Sequence, residues 1–239
     1  QLGAFPEQQA NWRWLRSACA AASASGTSGT RGTSDASSAQ DPLRVLNLFA
    51  HTGGSTLACA AASAPAEGSR PSHTRPIEVV HLDGARSAVG RARSNADLSN
   101  LSGVNIRWIS EDVLTYCRRA VKRGERFDGI IADPPAFGRG GKKGAEWKIQ
   151  RDMPVLVDLL TELLAEAPAF VLLTCHDHRW QSARLGETLQ GMLPEGEAAA
   201  PPGQLEEGVM VLQAEERGGR DLPMGHFARW RQWPAPDTP

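Results

Sequence analysis

Between Phe127 and Gly140 the chain reads Phe-Asp-Gly-Ile-Ile-Ala-Asp-Pro-Pro-Ala-Phe-Gly-Arg-Gly, and no other stretch restricts the fold as tightly. Its first half, apolar with β-branched residues, reads as a strand buried in a parallel sheet. The run breaks at Asp133, Pro134 and Pro135. Each proline fixes its own φ and drives its predecessor out of the helical region, so the turn is stiff. A stiff turn beyond the carboxyl end of a buried strand lies where open α/β sheets hold their ligands. Phe137 then offers an aromatic face, and Gly138 and Gly140 let backbone approach another molecule closely. An acid, a rigid turn and a stacking surface suit a flat heteroaromatic substrate. The competing reading is a connecting loop with a helix-capping Asp.

The chain before this stretch supplies the strands that make it part of a doubly wound sheet. Leu43 to Phe49 reads as a first strand and runs into Ala50-His51-Thr52-Gly53-Gly54-Ser55 and an alanine-rich helix from about Thr56 to Ala62. Such a glycine-bearing turn admits a cofactor against the backbone. It lacks the spaced three-glycine dinucleotide fingerprint. Ile77 to Leu82 reads as a second strand ending at Asp83, placed to accept hydrogen bonds from ribose hydroxyls. A helix from about Ala85 to Leu98 and a third strand, Val104 to Ile109, lead to Ser110-Glu111-Asp112. Asp112 can meet an adenine amino group or cap the next helix, at about 113–123.

Beyond the Pro-Pro turn, Asp152 and Pro154 start a leucine-periodic helix, and Ala169 to Thr174 reads as a fifth strand leading to Cys175-His176-Asp177-His178. Gln181 to Leu193 reads as a further helix. Leu205 to Glu215 and His226 to Trp233 then close the sheet as an antiparallel hairpin. At the other end, residues 1–20 form an arm with Asn11 as a helix N-cap, and Trp12 and Trp14 pack it onto the main domain. Residues 21–40, almost all Ala, Ser, Gly and Thr, read as a disordered low-complexity insertion, 63–76 as a second surface insertion, and 41–239 as the main domain.

Charge narrows the partners. The chain carries 26 basic and 27 acidic residues, so no global field draws it to nucleic acid or membrane. Residues 118–151, however, hold ten Arg or Lys against four acids, which suits a phosphate backbone and equally a solvated helix face. The four cysteines, Cys19, Cys59, Cys117 and Cys175, have neither metal-type spacing nor a disulfide framework. They read as free thiols of an intracellular reducing compartment, cytoplasm or organelle. No metal and no membrane association is expected. The chain opens at Gln1, which reads as a fragment without its natural start or any targeting segment.

Three ordered motifs carry a family resemblance: Leu46-Asn47-Leu48-Phe49-Ala50-His51-Thr52-Gly53-Gly54, His81-Leu82-Asp83, and Asp133-Pro134-Pro135-Ala136-Phe137-Gly138. With them the sequence resembles the class I S-adenosylmethionine-dependent methyltransferases, and within these the family of bacterial large-subunit rRNA methyltransferases acting on cytosine C5 or guanine N7. Phe5-Pro6-Glu7-Gln8 with Asn11-Trp12, Glu146-Trp147-Lys148, and Gly219-Arg220-Asp221-Leu222-Pro223 with Ala228-Arg229-Trp230 are similar to that family as well. The resemblance implies a Rossmann-like α/β fold, a mostly parallel doubly wound sheet with a C-terminal antiparallel hairpin. It implies S-adenosyl-L-methionine as cofactor and a base in RNA, rRNA-like, as substrate. It gives Phe5 and Gln8 to a turn closing over the cofactor. Asn47, Phe49, His51, Thr52 and Gly53 go to the methionine end, Asp83 to the ribose and Asp112 to the adenine. Asp133, Pro134, Pro135 and Phe137 form the methyl-transfer site, with Asp133 also at the cofactor. His51 stands where the family often has Tyr, and the family's N-terminal RNA-binding domain is absent from this sequence.

A target nitrogen needs only alignment, by Asp133 and the Pro134 carbonyl. Cytosine C5 needs a thiolate, for which Cys175 is the candidate. The rival readings are a nicotinamide oxidoreductase, a methyltransferase-like binding module without catalysis, and a methyltransferase with a protein or small-molecule acceptor.

Overall fold

In the computed structural model, which describes residues 3–25, 41–63, 74–138, 146–194, 203–214 and 219–232, a 3-10 turn at Pro6–Gln8 runs directly into helix α1, Gln9–Ala24. Proline at the first position presets the turn. Asn11 therefore lies inside α1 and is not its N-cap. Its side chain is buried and bonded to Gln8 and Arg229 instead. The helix also runs four residues past the arm expected from the sequence, because alanine is a strong helix former and Ser23 is buried at its end. The rest of the expected insertion, 26–40, lies outside the described residues, as do 64–73.

The chain then alternates strand and helix: β1 (Leu43–Leu48), α2 (Gly54–Ala60), β2 (Ile77–Asp83), α3 (Arg86–Leu98), β3 (Asn105–Ser110), α4 (Val113–Lys122) and β4 (Gly129–Ala132). A two-residue ribbon, β5 (Phe137–Gly138) with β6 (Trp147–Lys148), precedes α5 (Ile149–Leu163), β7 (Phe170–Cys175), α6 (Ser182–Met192), β8 (Gly203–Leu212) and β9 (Leu222–Gln232). Helix α5 starts before Asp152, whose carboxylate accepts the Lys148 backbone N–H at 2.7 Å. Pro154 thus sits inside the helix, on its exposed side.

Seven strands pair in the order β3-β2-β1-β4-β7-β9-β8. The first five are parallel, and β9 runs antiparallel to both β7 and β8. The chain steps outward from β1 to β3, then returns to β4 beside β1. This reversal opens a crevice at the carboxyl ends of β1 and β4. Alternate residues of β1 feed two cores. Leu46 and Leu48 pack with α4, α5 and α6, while Leu43 and Val45 pack with Trp14, Leu15 and Cys19 of α1. The N-terminal arm is therefore part of the domain's packing, and Trp14 sits edge-on to Phe170 at 6.0 Å.

Arg75, within the expected surface insertion, is buried. It donates to the Asp41 and Pro42 carbonyls and pairs with Asp128 at 3.3 Å, closing the amino edge of the sheet. Near the opposite edge, Asn47 donates to Thr56 at 2.8 Å and Thr56 contacts His81 Nδ1 at 2.9 Å. Burial lowers the His81 pKa to about 4, the largest influence on it.

Two outcomes follow from this packing. Unfolded His81 takes its proton near 6.5 and folded His81 near 4, so the unfolded state binds more protons in between. Stability present above pH ~6.5 is then lost as the pH falls, by up to about 3 kcal/mol. Urea unfolding at stepped pH should show this loss, reduced in His81→Gln. A Cβ at Gly129 would stand 2.4 Å from the Phe170 ring, so Gly129→Ala should lower stability by about 1–3 kcal/mol, read as a drop in Tm.

Candidate functional site

The crevice is a cleft of about 280 Å3. Phe5, Gln8, Asn47, Phe49, His51, Thr52 and Asp133, all singled out from the sequence, line it together with Trp12, Gly54 and Asn95. Its turn is conformationally demanding. Phe49 and His51 take left-handed φ values of 54° and 46°, and Gly53 one of 94°. A Cβ at Gly54 would come 2.6 Å from the Trp12 indole, so the turn and the arm fit only with glycine there. Asn95 from α3 donates to the Thr52 carbonyl at 3.0 Å, and the Thr52 hydroxyl donates to the Gly3 carbonyl.

Asp83 and Asp112 do not line the cleft. Asp83 supports it: one carboxylate oxygen accepts the His51 N–H at 2.9 Å and the other the Ala85 N–H at 2.8 Å. Asp112 caps α4, accepting the Thr115 N–H at 2.9 Å and its hydroxyl at 2.8 Å through one oxygen. Each keeps lone pairs for a further donor.

Asp133 stands where β4 ends, and one of its oxygens accepts from Gln8 Nε2 at 3.2 Å. The same Gln8 nitrogen reaches Thr174 of β7 at 3.3 Å. Gln8 Oε1 accepts from Asn11 Nδ2 at 2.9 Å, and Asn11 Oδ1 accepts from Arg229 at 3.2 Å. A guanidinium only donates, so it fixes the direction of every bond down this chain to Asp133. Arg229 is itself held by Glu206 at 2.6 Å. The other Asp133 oxygen, Oδ1, is buried and has no hydrogen-bond partner.

Trp147 braces the Pro-Pro turn. Its indole N–H donates to the Pro135 carbonyl at 2.7 Å, and its ring meets Phe49 edge-on at 4.9 Å. Pro134 is buried and Phe137 is half exposed beyond it. Arg139 and Gly140 lie outside the described residues.

The basic run divides in the fold. Helix α4 starts at the carboxyl edge of the sheet and spans about 15 Å. Lys122, Arg123 and Arg126 are thereby carried to the amino edge, where Arg44 near the start of β1 bonds Glu125 at 2.9 Å and the Arg126 carbonyl at 2.8 Å. These cations face away from Asp133. Arg119 is paired with Glu111, Lys148 with Glu146 and Arg151 with Asp152. The expected basic flank on both sides of the turn is therefore not shown by the described residues. Lys142 and Lys143 lie outside them.

All four cysteines are buried. Burial, with the nearby charges of Asp133 and Asp177, pushes the Cys175 thiol up to about 11. Its sulfur accepts the Asp177 N–H at 3.3 Å. Among the side chains that sequence reasoning gave no role are Thr174, His176 and Arg229. They belong to β7, its following loop and β9, and only strand pairing brings them to Asp133. Among the described residues no group of three His, Cys, Asp or Glu could hold a metal ion, and no helix is long and apolar enough to cross a membrane.

No protein-family model matches the chain. It is 36% identical over 94 residues to the ribosomal RNA large subunit methyltransferase I of Aeromonas salmonicida, covering 39% of this chain and 21% of that protein. It is 33% identical over 122 residues to the ribosomal RNA large subunit methyltransferase K of Neisseria meningitidis, covering 51% of this chain and 31% of that protein. The chain thus spans less than a third of the length of these two curated relatives. A solved SAM-dependent methyltransferase from Agrobacterium tumefaciens superposes with a TM-score of 0.74 at 30% identity, over 98% of this chain and 64% of that one. With its switch point between β1 and β4 and its antiparallel final hairpin, the chain has the Rossmann-like fold of the class I S-adenosylmethionine-dependent methyltransferases.

Proposed function

We propose that the chain is an S-adenosylmethionine-dependent methyltransferase that methylates a nitrogen of a base in RNA. The observation that carries this reading is Asp133. Its carboxylate is oriented by Gln8, keeps one oxygen unpartnered, and stands on a proline-stiffened turn at the switch point. An ionised acid with a spare acceptor orients an N–H donor. The names of the rRNA methyltransferase relatives support RNA as substrate, and Phe137 provides a face on which an unstacked base can rest.

The cleft fits S-adenosylmethionine. Glycine at 53 and 54 lets the turn close against Ala92 and Trp12, and the buried Nδ1 of His51 has no hydrogen-bond partner. Phe5, Gln8, Asn47, Phe49, His51, Thr52 and Gly53 would hold the methionine end, with Asp83 and Asp112 toward the ribose and adenine. When bound, this cofactor supplies an electrophilic methyl on a good leaving group. The protein's part is alignment, for which the Trp147 brace and the Pro134-Pro135 turn hold Asp133 rigid. Residues 1–20 would act as the arm over this site and 41–239 as the methyltransferase domain. The buried thiols support a reducing intracellular compartment.

Cytosine C5 chemistry fits less well, because a buried thiol pushed up to about 11 is a poor source of thiolate. Two measurements test the proposal. Calorimetric titration should give micromolar S-adenosylmethionine binding, weakened about 10-fold or more in Asp83→Ala, which frees the glycine turn, and no NADH binding. Binding of NADH alone would overturn the reading. With radiolabelled methyl donor and total RNA, Cys175→Ala should transfer methyl within about twofold of the unaltered chain, whereas abolished transfer would restore the C5 route.

A further inference from the structure

His176 lies on the loop after β7, its side chain one-third exposed and next to Phe5, which lines the cleft. Its Nδ1 is 2.7 Å from the Met224 carbonyl of β9. A carbonyl only accepts, so Nδ1 carries the hydrogen and the lone pair of the neutral ring sits on Nε2. Nε2 is 3.9 Å from the unpartnered Oδ1 of Asp133. Two acceptors therefore face one another with no donor between them.

We propose that His176 is a further catalytic residue, whose Nε2 takes the proton that the acceptor nitrogen loses on methylation. The inference rests on the methyltransferase reading above and narrows its substrate to an exocyclic amino group. Such a nitrogen brings two hydrogens, one for Asp133 Oδ1 and one for His176 Nε2. Guanine N7 brings none. As the nitrogen's lone pair forms the bond to the methyl carbon, the carbon–sulfur pair leaves with sulfur. The N–H proton passes to Nε2 and is later released to water. Asp133 stabilises the imidazolium so formed.

The surroundings keep this proton transfer specific. Asp133, from the turn after β4, is the charged group facing the ring among the described residues. Phe5 of the arm covers it at 6.2 Å, with His51 beyond Phe5 at 5.4 Å. His226 on β9 has its Nδ1 engaged with Ser182, and Asp177 is locked to Arg179 at 2.7 Å.

The test compares His176→Asn, whose amide can still donate to Met224, and His176→Ala with the unaltered chain. Calorimetry with S-adenosylhomocysteine and Tm report the fold and cofactor site, and radiolabelled transfer to total RNA reports turnover. In His176→Asn, kcat should fall about 100-fold or more and cofactor affinity should stay unchanged. Imidazole should restore turnover to His176→Ala. Nitrogen-15 spectra should show Nε2 of His176 unprotonated in the neutral ring, and the methylated nucleoside should carry its methyl on an amino nitrogen. An active chain whose His176→Asn form turns over normally, a product methylated at guanine N7, or a ring protonated at Nε2 instead of Nδ1 would overturn the role of His176 alone. A chain that transfers no methyl to RNA would overturn the function with it.

Discussion

Asp133 is useful because something far away tells it where to point. The Arg229 guanidinium can only donate, so Asn11 must present oxygen to it and nitrogen to Gln8, and Gln8 must present nitrogen to Asp133. An amide left to itself could turn over at small cost. Anchored to a cation that Glu206 also holds, it cannot turn over without leaving buried groups unpaired, at about 1–3 kcal/mol each. The cleft inherits its polarity from the far hairpin, and the glycine turn, the Pro-Pro turn and the Trp147 brace are arranged around a carboxylate whose direction is already set.

The same logic explains why the cleft tolerates unusual backbone. Left-handed Phe49 and His51 persist because Asp83, Asn95 and the arm hold the segment from three sides. Asp83 accepts two backbone N–H groups, and in the fold that structural service is as visible as any contact it makes with a ligand. In this crevice, groups that build the turn and groups that would meet the cofactor are often the same groups.

Much of this was legible in the sequence because it is local. Apolar runs ending in acid or glycine mark β1, β2 and β4, and Asp133-Pro134-Pro135 marks the switch point by its own stereochemistry. Local reading missed what only tertiary partners decide. Arg75 sits in a stretch of surface composition yet is buried against Asp128. The basic run looks continuous in the chain, but α4 carries Lys122, and Arg123 and Arg126 after it, to the opposite edge of the sheet. Gln8 lies 125 residues from Asp133, and Asn11 lies 218 from Arg229, so no window along the chain could pair them. Gln8 itself was found, but through a motif whose local letters do not reveal its bonds.

Synthesis order gives the arm a further significance. Helix α1 is synthesised before β1 to β4, while Thr174 and Arg229, which complete the setting of Gln8, are synthesised after them. A nascent chain can assemble β1 to β4 and its glycine turn and still lack an oriented Asp133. The setting of Asp133 is therefore completed only when β9 slots between β7 and β8, after most of the sheet is in place.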